Sequence, residues 1–114
     1  METNTQTQLY KRCMIGIKVS KSRFVNIMYY INENNEIKKE LTKKIIDHLN
    51  QLYQMWINNE DANIEYYFKM KEHHSHINGK IKNKTLSKMW DDYIRSCLKF
   101  RIDLMRFNHI MCNQ

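Results

Sequence analysis

A chain of 114 residues is one small domain, well below the roughly 250–300 residues at which single cores divide. Its 42% apolar and 27% charged residues exclude the composition of a disordered chain, and a net charge of +7 turns attention to anionic partners. With no Pro and only two Gly (Gly16, Gly79), hairpin-rich folds and glycine-rich phosphate loops are excluded as well.

The counts of 14 Ile, 14 Lys and 13 Asn against a single Ala (Ala62) follow the codon bias of an AT-rich genome, such as that of a phage, a large DNA virus or a parasite. Part of the positive charge is then mutational drift toward Lys. The start, Met1 to Gln8, lacks the basic and apolar stretches of a signal peptide, and is expected to be disordered within a single domain spanning 1–114. The longest apolar run, Ile27 to Ile31, is far too short for a membrane span. Three cysteines (Cys13, Cys97, Cys112), odd in number and without a C-x-x-C pair, argue against a disulfide framework. They favour a reducing intracellular setting, cytoplasmic or nuclear.

In chain order, residues 9–19 read as helix, although Cys13 to Val19 also suits a short strand. Ser20 then caps a helix over 21–32, and Asn32-Glu-Asn-Asn35 forms a turn. Ile37, Leu41, Ile45, Leu49, Leu52 and Trp56 recur at steps of three and four and predict one amphipathic helix, with Lys38, Lys39, Lys43 and Lys44 on its wet side. Asn58-Asn59 ends it. Glu60-Asp61 begin a third helix, acids first as the dipole favours, which carries Ile64, Tyr67, Phe68 and Met70 inward as far as about His76. Asn78-Gly79 closes that helix in a left-handed conformation. Thr85 is expected to cap a fourth helix reaching about Met111. Its seam of Leu86, Trp90, Tyr93, Cys97, Phe100, Leu104, Phe107 and Met111 steps four and three without interruption. The fold class is therefore all-α, a three- or four-helix bundle whose spine is the C-terminal helix.

Charge is uneven. Residues 1–35 hold five basic and two acidic side chains, residues 60–78 two and four, and residues 79–114 eight and three. Lys80, Lys82, Lys84 and Lys88 surround the start of the fourth helix, where they oppose the dipole. Local stability would prefer acids there, so the pattern is either a solvated loop of a Lys-rich chain or an anion site with phosphate as partner. Lys88, Arg95, Lys99 and Arg106, spaced seven, four and seven, share one side of that helix, interrupted by Asp91 and Asp92. Leu98, Ile102 and Met105 form a second apolar stripe away from the seam. Either the 9–19 segment encloses it, or it meets a protein partner or a second copy.

His73, His74 and His76, together with His109 and Cys112, raise a metal reading. In an antiparallel hairpin the two groups lie about 30 Å apart, however, so they cannot share an ion. A partial site from His73, His76 and Asp91 or Asp92 is weaker than the view that these histidines close a helix on the surface. No nucleophile elbow or phosphate loop occurs, and neither catalysis, a cofactor nor a metal is expected. The sequence thus predicts a basic accessory protein that binds nucleic acid or a nucleoprotein complex through phosphates. The rival is a protein-interaction module or inhibitor of viral or phage type; no membrane role is expected.

Overall fold

The computed structural model describes residues 4–58 and 64–113, and among these every regular element is α-helical. The elements are α1 (Asn4–Glu33), α2 (Asn35–Glu40), α3 (Lys43–Asn58), α4 (Ile64–Ile77) and α5 (Lys84–Cys112).

α1 is a single helix of 30 residues. It takes in residues 4–8, expected to be disordered, and turns the alternative of a strand over 13–19 into helix. Its buried positions Leu9, Cys13, Ile17, Ser20, Phe24, Ile27 and Ile31 explain this, since they step by three and four as strictly as the α5 seam. Ser20 therefore occupies a core position rather than a cap; its Oγ donates to Ser96 Oγ at 2.8 Å, and Ser96 Oγ donates to the Tyr93 carbonyl. The expected helix over 37–58 is two. Leu41 adopts an extended conformation, and Thr42 Oγ1 accepts from the Ile45 N–H at 3.2 Å, which caps α3. The proposed start of α4 at Glu60-Asp61 lies outside the described residues. In α4, Tyr67 and Met70 are buried as expected, but Phe68 is exposed, and His74 and Ile77 complete the inner stripe.

Gly79 has φ +76, and the Lys80 N–H reaches the Ile77 carbonyl at 3.0 Å: the left-handed helix end that the sequence indicates. α5 is capped by Asn83, whose side chain accepts from the Leu86 N–H at 2.9 Å, and not by Thr85. The α5 seam is buried from Leu86 to Leu104; Phe107 is half-buried and Met111 exposed.

Cross-helix contacts fix the topology. Arg12 faces Asp103 and Ser20 faces Ser96, so α1 and α5 run antiparallel along most of their length. Tyr67 meets Phe100 and His74 meets Tyr93, which makes α4 antiparallel to α5. Tyr66 Oη donates to the Met55 carbonyl and His48 meets His73, which does the same for α3 and α4. The result is an up-down-up-down four-helix bundle with α2 as a short connector. Its dimensions, 54 × 23 × 19 Å, follow from the two long helices.

A buried polar chain crosses this core. Trp56 Nε1–H donates to Tyr93 Oη at 2.9 Å, so the tyrosine proton goes on to His74 Nε2, 2.6 Å away. Burial, then the neighbouring His73, pushes the His74 imidazole down to about 3, and it sits neutral with its remaining proton on Nδ1. His74 is thus a core residue at 3% exposure, not one of a surface trio. Tyr93→Phe is expected to lower unfolding free energy by about 2 kcal/mol in urea titration, because it strands both the Trp56 N–H and the His74 acceptor. A loss under about 0.5 kcal/mol, the level of an ordinary surface change, would contradict that pairing.

Candidate anion-binding face

Gly16 sits where α1 and α5 come closest; a Cβ there would overlap Phe100 Cβ. Small side chains continue the contact at Ser20 and Ser96. Because the helices nearly touch, the side chains on their outer flanks rise as two banks over a shallow groove of about 420 Å³. Its floor includes Gly16, Ser96 and Phe100, and Ile15 and Val19 line the α1 side.

Four cations border the groove: Arg12 and Arg23 from α1, Arg95 and Lys99 from α5. Asp103 is the single acid in the lining, and it is largely buried. Arg12 pairs with Asp103 at 3.4 Å, and Arg23 donates to the Asp92 carbonyl at 2.9 Å, a bond that ties α1 to α5. Arg95 lies 3.9 Å from the Asp92 carboxylate, with both side chains well exposed, so this pair is weak. A guanidinium has five N–H donors, so one such contact leaves the rest of each fork able to meet an anion.

Of the residues singled out in the sequence, Arg95 and Lys99 are brought together at this groove. Lys88 and Arg106 are exposed on the same side of α5, seven residues beyond on either side, giving a row about 27 Å long. Lys80, Lys82 and Lys84 are also exposed but belong to the link before α5 and its first residue. They form a separate cluster at the far end of that row. Asp91 and Asp92 interrupt the row as expected, although the Asp92 carbonyl accepts a hydrogen bond from Arg23. Arg12 and Arg23 were missed, since each lies some 70 to 90 positions from its α5 neighbours and no local pattern pairs them.

Leu98, Ile102 and Met105 are 45%, 59% and 44% exposed, so no part of α1 encloses them. They flank the cation row on the side of α5 away from α1.

The histidines separate into two settings. His74 belongs to the core, whereas His48, His73 and His76 gather at the α3–α4 surface. His48 Nδ1 lies 2.9 Å from His73 Nδ1, and the His76 ring stacks on His48 with centroids 4.3 Å apart and planes 4° from parallel. Burial first, then the His76 and His73 charges, lowers the His48 pKa from its ordinary value. Asp91 and Asp92 take no part in this group. Among the described residues no three metal-ligating side chains converge as they stand, and no helix is long and apolar enough to cross a membrane. The free thiols Cys13 and Cys97 are buried and Cys112 is exposed.

Fold and site together define a class: a small basic four-helix bundle with a cation-bordered groove between its first and last helices. Compared with known protein families, curated proteins and solved structures, the chain matches none of them.

Proposed function

We propose that the protein is an accessory factor that binds nucleic acid, or a nucleoprotein complex, through phosphate contacts on the α1–α5 face. The observation that carries this reading is the convergence of Arg12, Arg23, Arg95 and Lys99 on one open groove whose single acid is buried. A phosphate suits such a border because planar guanidinium forks meet its oxygens two at a time. Lys88 and Arg106 extend the contact over a length equal to roughly eight base pairs at 3.4 Å each. Lys80, Lys82 and Lys84 add a further anchor at one end. A row of cations along a helix meets the phosphate backbone first, so binding is expected to position rather than to read sequence.

The test is a fluorescence titration with a labelled oligonucleotide across a salt series. Arg95→Gln with Lys99→Gln should weaken binding ten-fold or more and reduce the slope of log K against log salt by about 1.5 to 2, the share of two phosphates. Lys80→Gln, Lys82→Gln, Lys84→Gln and Lys88→Gln together should also flatten it. A slope unchanged by the groove pair would sink the groove as the binding site.

A second reading rests on the exposure of Leu98, Ile102 and Met105 beside the cations. Here α5 docks on a protein partner or a second copy of the chain, as an inhibitor of viral or phage type would. Light scattering with Leu98→Asp and Ile102→Asp separates the two. A salt-insensitive complex lost on these changes favours protein docking, whereas a monomer that binds polyanions favours the first reading.

A further inference from the structure

The α3–α4 histidines do not line the cationic groove. His48 comes from the middle of α3 and His73 from the last turns of α4, on elements joined through residues outside the described set, yet their Nδ1 atoms stand 2.9 Å apart. Two explanations fit that distance: an N–H···N bond between neutral rings, or two ligand nitrogens prepared for one ion. For imidazole bonds of about 2.0–2.1 Å, a right-angled N–metal–N arrangement separates the nitrogens by about 2.9 Å, whereas a tetrahedral one separates them by about 3.3 Å. This spacing places the two nitrogens within reach of one ion in either arrangement, and a hydrogen-bonded pair has the same spacing.

Imidazole nitrogen suits copper(II), nickel(II) and zinc(II), and of the three copper(II) binds such donors most tightly. We propose that His48 and His73 form a surface site for a divalent ion of this kind, bridging α3 and α4, with the stacked His76 ring holding His48 in its ligating orientation. Water completes the coordination, since the described residues bring no third ligand into place. Binding needs no net loss of protons. The ring that carries its hydrogen on Nδ1 moves it to Nε2, and both Nδ1 lone pairs then face the ion. An ion held by both helices also adds a cross-link present in the native state and absent from the unfolded chain, so it must raise the melting temperature.

The experiment uses the tag-free full-length chain with one equivalent of copper(II), nickel(II) or zinc(II), read by electron paramagnetic resonance for copper and by thermal melting for all three. The wild type is expected to take up one copper(II) per chain, with nitrogen splitting from two imidazoles, and to melt several degrees higher. Nickel(II) and zinc(II) should each give a smaller rise. His48→Asn and His73→Asn should each abolish the two-nitrogen signature and the rise. His109→Asn, a control on the exposed end of α5, should change neither. Circular dichroism of the metal-free variants checks that both remain folded. Absence of stoichiometric copper uptake by the wild type overturns the site outright. So does a signature that survives either histidine change in a folded variant.

Discussion

Gly16→Val is expected to lower unfolding stability by about 3 kcal/mol or more, and Gly16→Ala by about 1–2 kcal/mol, both read as shifts in the urea midpoint at constant m. The direction is informative because helix propensity predicts the opposite. Replacing a mid-helix glycine by alanine favours an exposed helix by about 1 kcal/mol. At Gly16 the added methyl would overlap Phe100 Cβ, the stem of a buried side chain fixed to the α5 backbone. It cannot swing aside as the tip of a flexible side chain can. Relief requires α1 and α5 to separate along a contact that runs from Arg12–Asp103 past Ser20–Ser96 to Arg23–Asp92, so many pairs loosen at once. Valine adds two further methyl carbons and a stiff χ1, which removes the remaining room for adjustment. A Gly16→Ala chain more stable than the wild type would show that the helices do not approach this closely. The same substitution reaches the groove, because Gly16 and Phe100 both line it. Gly16→Ala should therefore weaken anion binding without removing any charge.

The helical class and the spine were legible in the sequence because the positions that reveal them are local. Leu86 to Leu104 on α5 and Ile45 to Trp56 on α3 repeat at helical spacing, and those are the residues that become buried. Where the reading failed, a polar or small residue was taking an apolar residue's place, or the decisive partner was distant. Ser20 resembles a cap because serine usually is one, yet the sequence from Leu9 to Ile31 keeps its rhythm only if Ser20 counts as an inward position. The break at Leu41–Thr42 was hidden because Leu41 fits the apolar spacing on both sides of it, while the signal that mattered was the capping hydroxyl of Thr42. Asn83 was overlooked for the same kind of reason, with Thr85 two residues on being an equally good cap by type. Half of the candidate site was legible: Arg95 and Lys99 share a helix face. The other half is tertiary. Arg12 and Arg23 join them only because Gly16 and Ser20 let the two long helices meet, and that pairing of small residues between chain ends was the signal that could have disclosed the groove.

Alkaline pH is expected to destabilise the protein steeply, through Cys97. Its thiol is buried in the α5 seam, and that burial pushes its pKa from 9.0 up to about 12, against smaller downward pulls from hydrogen bonds with Tyr93 and Ser20. A thiol whose pKa rises on folding keeps its proton in the native state at a pH where the unfolded chain has already lost it. Stability is thus unaffected below about pH 9 and falls as the pH climbs toward 12, by about 1.4 kcal/mol per pH unit for this one group. Over the whole interval the loss amounts to roughly 4 kcal/mol, a large part of the 5–15 kcal/mol typical of small domains. Cys13, raised to about 11 by burial and then by the Asp103 carboxylate, acts in the same direction over a narrower range. The pH dependence of the whole chain sums over many groups, so the measurement must be differential. Urea unfolding at pH 8, 9.5 and 11 is compared for the wild type and Cys97→Ser, whose hydroxyl has a similar shape and does not ionise. The wild type should lose about 2 kcal/mol more than the variant between pH 9.5 and 11. Parallel curves would mean that the Cys97 thiolate forms without unfolding, and hence that this stretch of the α1–α5 seam admits water. Thiol labelling at pH 8 supplies an independent reading: Cys112 should react at once, and Cys13 and Cys97 only at the rate at which the bundle opens.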